Sequence, residues 1–415
     1  MSSHLAPASQ AYTGLSLGPD RIIEVGYAQR QKQGELAAGD TVRLRRIPAE
    51  ERAIVVLSDG LGSGVKASVL STLTATMALQ YSSSDIEPSR VAGIIMRTLP
   101  ECSVRKIRYA TFTSVDVSAS GRCGIVTYDN PGPYLVGQDG CREFSLDEVD
   151  LGTAAGNRST AYGGTVTLQL GEYLVLLSDG VTQSGMGTVG FPFGWGGDGV
   201  RRRLEELVKE VPGISARELS RRIVDQALQF DGGRPRDDIS CAVVYLRHPR
   251  RALVATGPPM DPERDVEVAA LLRDFPGRRI IAGGTTANLV ARELEREIRV
   301  DLSAIDPEVP PTSHMEGIDL VTEGTITMSC VAKFLESEES ADQLPRGRAK
   351  HNGATRLLSA LLESDEIHLI VGTRINEAHQ NPSVPVELEI RRNLMKRIAR
   401  VLEERYLKRT QLQFI

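Results

Sequence analysis

Four aspartates are the residues of this 415-residue sequence best suited to chemistry, because each lies at or next to the end of an apolar run. They are Asp40 in GELAAGDTV, Asp59 in VVLSDGLGSG, Asp179 in VLLSDGV and Asp237 in RPRDDISCAVVYL. Carboxylates at strand ends are held rigidly, and four that converge would repel one another unless cations neutralise them. Hard divalent cations with oxygen ligands, Mg²⁺ or Mn²⁺, suit that requirement. Two such ions can activate a water for attack on a phosphoryl group.

A single Asp-Gly pair is most often a turn, so one such motif would not indicate a metal site. Here an apolar run followed by Ser-Asp-Gly occurs twice, at Asp59 and at Asp179, about 120 residues apart, and an Asp-Asp pair precedes a later strand. This repetition favours the metal site. The glycine after Asp59, Gly60, would let a backbone carbonyl reach a metal, and Gly62 and Gly64 would let the chain turn directly into a helix.

Short apolar runs bounded by turn residues must position these acids, and they predict an antiparallel sandwich with helices between hairpins. The predicted strands are Arg21–Ala28, Thr41–Ile47, Arg52–Ser58, Tyr109–Val117, Cys123–Asp129, Tyr134–Val136, Gly164–Leu168, Tyr173–Ser178 and Ile239–Leu246. The predicted helices are Val65–Gln80, Glu87–Leu99, Val200–Lys209 and Ala216–Phe230. In Val65–Gln80 the side chains of Val69, Leu73, Met77 and Gln80 lie near one stripe, and several Ser and Thr residues make the helix small and polar.

The remainder of the chain has a different pattern of predicted secondary structure. Residues 1–20 are predicted to be a loose leader and residues 21–248 the sandwich domain. Residues 249–263, in which three prolines follow a basic pair, are predicted to be a linker. From 264 to 415 strands alternate with helices, which predicts a smaller α/β domain with a mostly parallel sheet. The helices expected there are Asn288–Ile298, Ile326–Leu335 and Val386–Arg405, with a charged loop over Glu336–Ala354.

A second candidate site lies in this later part, where Gly283, Gly284, Thr285 and Thr286 stand between a strand and a helix. Amides at a helix N-terminus, with hydroxyls nearby, can hold a phosphate or carboxylate, so an anion or nucleotide is one interpretation. The alternative is a tight strand-to-helix turn that uses glycine for its geometry alone, since the segment is neither GxGxxG nor a Walker motif.

Composition excludes several other classes of function. The net charge is −5 with no long basic block, so nothing favours nucleic acid or an anionic membrane as a partner. The longest apolar runs are of strand length, far below a membrane span, and no signal peptide is apparent. Five cysteines without a CxxC argue against a disulfide framework or structural zinc, which predicts a cytoplasmic protein.

Five segments resemble, in order, the motifs of the SpoIIE-like and RsbU-like bacterial serine/threonine phosphatases of the PPM family. SDGLGSGVKAS resembles their DGMGxGxxA motif, and GYAQRQKQGELAAGD their opening segment. YATFTSVDVSASGRCGIVTYDNPGPYLV is similar to their central hairpin, and LLSDGV and RPRDDIS to their last two metal motifs. The resemblance covers about 225 residues and implies an α+β fold for them, a four-layer α-β-β-α sandwich with a dinuclear site at one edge.

The same resemblance implies a ligand set for two Mn²⁺ or Mg²⁺ ions. Asp40 and Asp59 match the acids that bridge or hold the ions, Gly60 the backbone ligand, and Asp179 and Asp237 the remaining carboxylates. Asp238 also matches the doubled acid, but the Ile-Ser that follows favours Asp237. Leu61 stands where eukaryotic members have histidine, and no histidine lies between His4 and His248, so water would protonate the leaving group and metal-bound water would attack. Ser58, Ser63 and Ser178 are then structural.

The leading hypothesis is therefore hydrolysis of phosphoserine or phosphothreonine on a partner protein, such as a STAS-type anti-anti-sigma protein, under control of the C-terminal domain. A homodimer is compatible with this hypothesis. The rivals are a catalytically weak signalling scaffold and a small-molecule phosphatase. The helix Val65–Gln80 could switch the site between two geometries or could simply be a closely packed buried helix, and the sequence supports both interpretations equally.

Overall fold

The computed structural model describes residues 20–47, 50–83, 90, 93–95, 98, 110–149, 161–301, 306–337, 352–374 and 384–415. These residues divide into two compact units, one from Asp20 to His248 and the other from Pro249 to Ile415. Among them no helix is long and apolar enough to cross a membrane. The predicted leader, most of the predicted helix Glu87–Leu99 and most of the predicted loop Glu336–Ala354 lie outside the described residues.

Two antiparallel sheets form the N-terminal unit, with strand orders β2-β3-β4-β5-β9-β8 and β1-β11-β10-β6-β7. The strands are β1 (Ile22–Arg30), β2 (Asp40–Ile47), β3 (Arg52–Gly60), β4 (Ala110–Ser118), β5 (Arg122–Tyr128), β6 (Tyr134–Gly137), β7 (Gly140–Arg142), β8 (Asp147–Val149), β9 (Ala161–Thr167), β10 (Tyr173–Leu177) and β11 (Ile239–Arg247). The helices are α1 (Gly64–Ser82), the short α2 (Asp179–Thr182), α3 (Gly196–Glu210) and α4 (Ala216–Phe230). The predicted α+β class is confirmed.

Apolar side chains alternate along these strands, and each sheet therefore has two faces to bury. The inner faces meet in one cluster, to which Val55 and Leu57 of β3 and Leu174 and Leu176 of β10 contribute. The outer face of the six-stranded sheet packs against α1, and the outer face of the five-stranded sheet packs against α3 and α4. Both sheets are thus covered on both faces, which fixes their strand ends relative to one another.

Helix α1 packs against the sheet through its small residues, and the face that carries its larger apolar residues points away from the sheet. Val69 and Leu73 are 61% and 47% exposed, whereas the small residues Ala67, Thr74 and Ala75 are buried. The predicted apolar stripe is therefore not the buried face. Small side chains let the helix backbone approach β3 closely, and this close packing outweighs the burial of larger residues.

The C-terminal unit is a mixed sheet of seven strands in the order β14-β15-β16-β13-β12-β17-β18. Its strands are β12 (Arg251–Thr256), β13 (Arg278–Ala282), β14 (Arg299–Val300), β15 (Ser313–Met315), β16 (Ile318–Thr322), β17 (Glu366–Val371) and β18 (Arg409–Phe414). Its α-helices are α5 (Asp265–Asp274), α6 (Gly284–Glu293), α7 (Thr325–Glu336), α8 (Gly353–Glu363) and α9 (Val384–Glu404), with a 3₁₀ turn at Pro262–Arg264. The five strands from β16 to β18 are parallel, and β15 pairs antiparallel with both of its neighbours, β16 and β14.

The predicted linker 249–263 is wrong over its first half, because Arg251–Thr256 is a strand near the middle of this sheet. Its residues Ala252 to Ala255 are almost completely buried and pair with β13 on one side and β17 on the other. The prolines that suggested a linker all follow the strand, where they end it without interrupting its hydrogen bonds. The helix predicted at Asn288–Ile298 also begins earlier, at Gly284, because Gly283 provides the turn into it.

The contact between β3 and α1 generates a first prediction. A Cβ atom added at Gly60 would lie 2.2 Å from the backbone carbonyl oxygen of Ala67, so Gly60→Ala must push the helix from the sheet. We expect it to lower the free energy of unfolding of the N-terminal unit by about 1–3 kcal/mol. Trp195 is the single tryptophan of the chain and is buried in this unit, so its fluorescence during urea titration reports on this unit.

Gly190→Ala is the matched control, because a Cβ atom there meets nothing within 4 Å. It should change the unfolding free energy by less than about 0.5 kcal/mol. Equal stability of the two variants would mean that α1 does not need the close approach at Gly60.

Candidate metal centre

Strand pairing brings the four predicted acids to neighbouring strand ends, two from each sheet. Asp40 opens β2, and the antiparallel register pairs it directly with Asp59 near the end of β3. Asp179 follows β10 as the first residue of α2, and Asp237 precedes β11, the neighbour of β10. Residues separated by almost 200 positions in sequence (237 − 40) therefore share one edge of the two sheets.

Asp40 is the most deeply buried of the four. Its side chain is only 5% exposed, and neither carboxylate oxygen has a hydrogen-bond partner that satisfies normal geometry. Burial raises the pKa of Asp40, and the nearby Ser240 and Ser178 hydroxyls lower it only in part. A buried carboxylate that lacks partners is unfavourable in its charged form, so this position calls for a counter-ion.

Repulsion adds to burial at the other acids. The pKa of Asp59 is raised first by burial and then by the charges of Asp40, Asp179 and Asp237. The pKa of Asp179 is raised by burial and by Asp237. Asp59 is therefore repelled by all three other carboxylates, which makes it the electrostatic centre of the group.

The interactions among the four carboxylates centre on Asp59. Within the described part of the chain, no group of three or more His, Cys, Asp or Glu side chains forms a closed cluster of metal ligands. The repulsive interactions instead run from Asp40 through Asp59 to Asp179 and Asp237. Carboxylate oxygens are the ligand type that Mg²⁺-like ions prefer, and such ions usually keep several waters besides their protein ligands.

The two members of the Asp-Asp pair have different roles. Asp238 is 4% exposed and accepts hydrogen bonds from the backbone amides of Lys32, at 3.1 Å, and Gly39, at 2.9 Å. It therefore ties the segment that leads into Asp40 to the start of β11. Asp237 is half-exposed and faces Asp59 and Asp179 instead, and Lys32 Nζ lies 3.7 Å from its Oδ1. Lys32 partly offsets the negative charge of the group.

Glycines allow this edge to close. A Cβ atom at Gly180 would lie 2.2 Å from the carbonyl oxygen of Asp238, and one at Gly39 would lie 2.9 Å from the Asp238 carboxylate. Gly60 is constrained in the same way by α1, as described above. Gln183 donates from Nε2 to Asp179 Oδ2 at 2.8 Å and so orients that carboxylate. The glycine of each Ser-Asp-Gly motif is thus needed for packing, whether or not its carbonyl also binds a metal.

Sequence reasoning missed three contributors to this site: Lys32, Ser240 and the structural role of Asp238. It also treated Ser178 as structural, and the Ser178 side chain does accept a hydrogen bond from the Ser240 amide at 3.0 Å while lying close to Asp40. Lys32 and Ser240 belong to no charged or glycine-rich motif of their own. The position of Ser240 two residues after Asp238, at the start of a buried strand, was the only signal available.

A cavity of about 520 Å³ lies in the same unit, between the β5–β6 turn, β7 and α3. Asn130 in its wall hydrogen-bonds to Thr111 and Thr113 of β4, and Thr111 is the cross-strand partner of Asp59. Arg142 and Arg201 also line it. One layer of side chains therefore connects the cavity to the acids.

The other predicted site, Gly283 to Thr286, lies in the C-terminal unit and forms the turn from β13 into the first residues of α6. Gly283 has φ +135°, a conformation that glycine adopts readily and other residues rarely do. Gly284 and Thr285 are exposed, and Thr286 is buried.

Comparison with known proteins links the first unit to a family. The family model for Stage II sporulation protein E (SpoIIE) matches residues 49–247, a segment that includes three of the four acids but not Asp40. No curated protein matches the chain.

Three of the solved structures that resemble the chain do so with low sequence identity. The PP2C phosphatase domain of SpoIIE from Bacillus subtilis, with a regulatory fragment, is 18% identical over 55% of this chain, with a TM-score of 0.46, and 64% of that protein's resolved length is covered. The RsbU and RsbW domains of Rv1364c from Mycobacterium tuberculosis are 18% identical over 62% of this chain and 68% of that one, with a TM-score of 0.42. RsbX in complex with magnesium is 17% identical over 55% of this chain and 98% of that one, with a TM-score of 0.39.

Crowding of the acids generates a prediction about stability. Groups with raised pKa values stabilise the folded protein fully below their unfolded pKa, near 4, and this contribution is lost as the pH rises through the raised folded value. In EDTA, the melting temperature followed by Trp195 fluorescence should therefore fall as the pH is raised from 5 to 8. Mn²⁺ should restore it, and more strongly at the higher pH, because the metal needs the ionised carboxylates.

Asp59→Asn should melt at a higher temperature than the wild type in EDTA at pH 8 and respond much less to Mn²⁺, because it removes the most repelled charge. The exposed Asp139→Asn is the matched control and should behave as the wild type. A wild-type Mn²⁺ response in Asp59→Asn would remove Asp59 from the centre.

The division of labour in the Asp-Asp pair is tested by two parallel substitutions. Asp238→Asn can retain at most one of its two backbone hydrogen bonds well, and we expect it to destabilise the N-terminal unit by about 1–3 kcal/mol. Asp237→Asn should leave metal-free stability equal or higher and weaken the Mn²⁺ response. The opposite assignment of the two effects, measured by the same Trp195 melting experiment, would reverse the roles of these residues.

Proposed function

Because residues 49–247 are a SpoIIE-family phosphatase domain of the PP2C type, we propose that the N-terminal unit is a metal-dependent protein serine/threonine phosphatase. One observation carries the proposal. Carboxylates from the ends of both sheets lie close enough to repel one another, and the most buried of them, Asp40, has two oxygens without partners. Such a group is stable in its ionised form only when a cation completes it.

The residues present fit two hard divalent ions, Mn²⁺ or Mg²⁺. In this proposal Asp40, Asp59, Asp179 and Asp237 hold the ions together with the backbone carbonyl of Gly60. All of these are oxygen donors, the ligand type that such ions prefer. When bound, the ions would activate the attacking water and neutralise charge on the phosphoryl oxygens.

The chain's own contribution to the reaction is to hold these oxygens in place. Gln183 fixes one oxygen of Asp179, and the amides of Lys32 and Gly39 hold Asp238 and thereby the segment before Asp40. Rigid positioning of this kind is a large part of the catalysis of phosphoryl transfer, because the entropy of ordering these groups is lost when the protein folds and not during the reaction. No histidine lies between His4 and His248, so we propose that solvent protonates the leaving serine or threonine oxygen.

The proposed substrate is a phosphoserine or phosphothreonine on a partner protein. A STAS-type protein is the first partner to test, because the resemblance of the motifs to RsbU-like phosphatases implies it. We propose the cytoplasm as its location and regulation through the C-terminal unit.

Turnover with divalent metal tests the mechanism. Asp59→Asn and Asp179→Asn should each lower kcat on a phosphorylated STAS protein by about a hundredfold or more, because each removes a carboxylate of the metal centre. Asp139→Asn should retain wild-type turnover. Hydrolysis should stop in EDTA, return with Mn²⁺, and leave no phosphorylated residue on this chain when the reaction is quenched.

Other outcomes identify the rival functions. A covalent phosphoenzyme would overturn hydrolysis by activated water. Rapid hydrolysis of small phosphate esters, without hydrolysis of phosphoproteins, would indicate a small-molecule phosphatase. An Mn²⁺-stabilised protein that hydrolyses neither would indicate a signalling scaffold.

A further inference from the structure

The C-terminal unit has a crevice at the carboxyl edge of its parallel strands. The neighbouring strands β13 and β16 are followed by helices that leave to opposite faces of the sheet. Helix α6 packs with α5 on one face, and α7 packs with α8 and α9 on the other. In open α/β sheets, ligands bind outside the carboxyl ends of strands whose connections diverge in this way.

The two helix N-termini at this crevice differ in how they are capped. Glu323 Oε2 accepts hydrogen bonds from the amides of Ile326, at 3.0 Å, and Thr327, at 3.3 Å, so α7 already has an anion at its N-terminus. Helix α6 has no side-chain cap on Gly283 and no acidic residue in its first turn. A Cβ atom at Gly284 would meet nothing within 4 Å, so there is open space in front of this helix.

A buried hydroxyl at the same N-terminus independently indicates a ligand. Thr286 is only 1% exposed, and its Oγ1 has no hydrogen-bond partner. This oxygen is 3.6 Å from the position that a Cβ atom on Gly283 would take, so it points toward the turn before the helix. An unsatisfied hydroxyl is costly in a protein interior, and an anion in the turn would satisfy it.

Positive charge is present at the same edge. Strands β12 and β13 are parallel neighbours, and Ala255 pairs with Ile281. Gly257 and Gly283 each follow two residues later, so both lie at the same edge of the sheet. The guanidinium of Arg391, from α9, lies over Gly257, with Nη1 2.5 Å from the position of a Cβ atom there. A helix N-terminus and a guanidinium together favour a phosphate group over a neutral ligand.

We propose that the C-terminal unit binds a small phosphorylated molecule, with its phosphate at the N-terminus of α6. The Thr286 hydroxyl and the first amides of α6 hold the phosphate oxygens, and Arg391 provides the counter-charge. This proposal does not rest on phosphatase activity, because binding to this unit is measured directly.

Calorimetric titration of the full chain tests the proposal. It is carried out in EDTA, so that phosphate finds no metal at the N-terminal carboxylates, with inorganic phosphate, AMP and ATP as separate probes. We expect saturable binding of one equivalent of at least one of these phosphate-bearing probes. Their relative affinities show whether the site takes phosphate alone or a larger phosphorylated molecule.

Two matched substitutions make the test specific. Thr286→Val should weaken binding tenfold or more yet melt at the same or a higher temperature without ligand, because it removes a hydroxyl that has no partner in the free protein. Thr327→Val removes an equally buried and unpartnered hydroxyl at the capped helix α7, and it should leave binding unchanged.

A third variant, Gly284→Asp, places a carboxylate in the open space before α6, where it would repel a phosphate. It should abolish binding while the protein stays folded. The absence of binding of all three probes at millimolar concentration, or binding that Thr286→Val and Gly284→Asp leave unchanged, would overturn the proposal.

Discussion

The buried carboxylate of Asp40 is the constraint on which the N-terminal unit depends. An acid with no hydrogen-bond partner for either oxygen, in direct register with Asp59, is unfavourable in any fold that lacks a compensating charge. The Ser240 and Ser178 hydroxyls offset this cost only in part, and the nearest ammonium group, that of Lys32, lies beside Asp237 and not beside Asp40. In the proposed function, the electrostatic cost of this edge is the cost of a site that is prepared for cations.

Close packing makes that arrangement possible. Gly39, Gly60 and Gly180 each let backbone or carboxylate atoms approach to distances that a methyl group would prevent. Helix α1 contributes a face of small and hydroxylated residues, and Thr41 of β2 hydrogen-bonds to Ser71 of that helix at 2.8 Å. The acids are thus held by the two sheets and by a helix whose close approach depends on the absence of a side chain at Gly60.

Both units contain buried polar atoms that have no hydrogen-bond partner. At Asp40 the unsatisfied atoms are anionic and call for a cation, whereas at Thr286 the unsatisfied atom is a hydroxyl beside helix amides and calls for an anion. Neither feature contributes to the stability of the free chain. Each lies at strand ends, where the backbone is rigid and the neighbouring loops leave room, and this is the usual position of binding sites in both antiparallel and parallel architectures.

The amino-acid sequence by itself determined much of the N-terminal unit. Local patterns placed Asp40, Asp59, Asp179 and Asp237 at strand ends, since alternation of apolar residues and the glycines beside them are short-range signals. The same rules predicted the helix Ala216–Phe230 with its bounds unchanged, because its apolar spacing and its Ser215 cap are both local.

Only the tertiary structure decided which faces and partners these elements have. The sequence could not show that α1 buries Ala67 and Thr74 and leaves Val69 exposed, because the choice depends on how closely Gly60 lets the helix approach. It favoured Asp237 as the metal ligand but could not show the structural role of Asp238, whose amide partners Lys32 and Gly39 are about 200 residues away. It also misread Arg251–Thr256 as part of a linker, because a run of four apolar residues beside prolines becomes an inner strand only when β13 and β17 supply hydrogen bonds on both sides. Each of these outcomes depends on long-range contacts, which leave no mark on the local sequence.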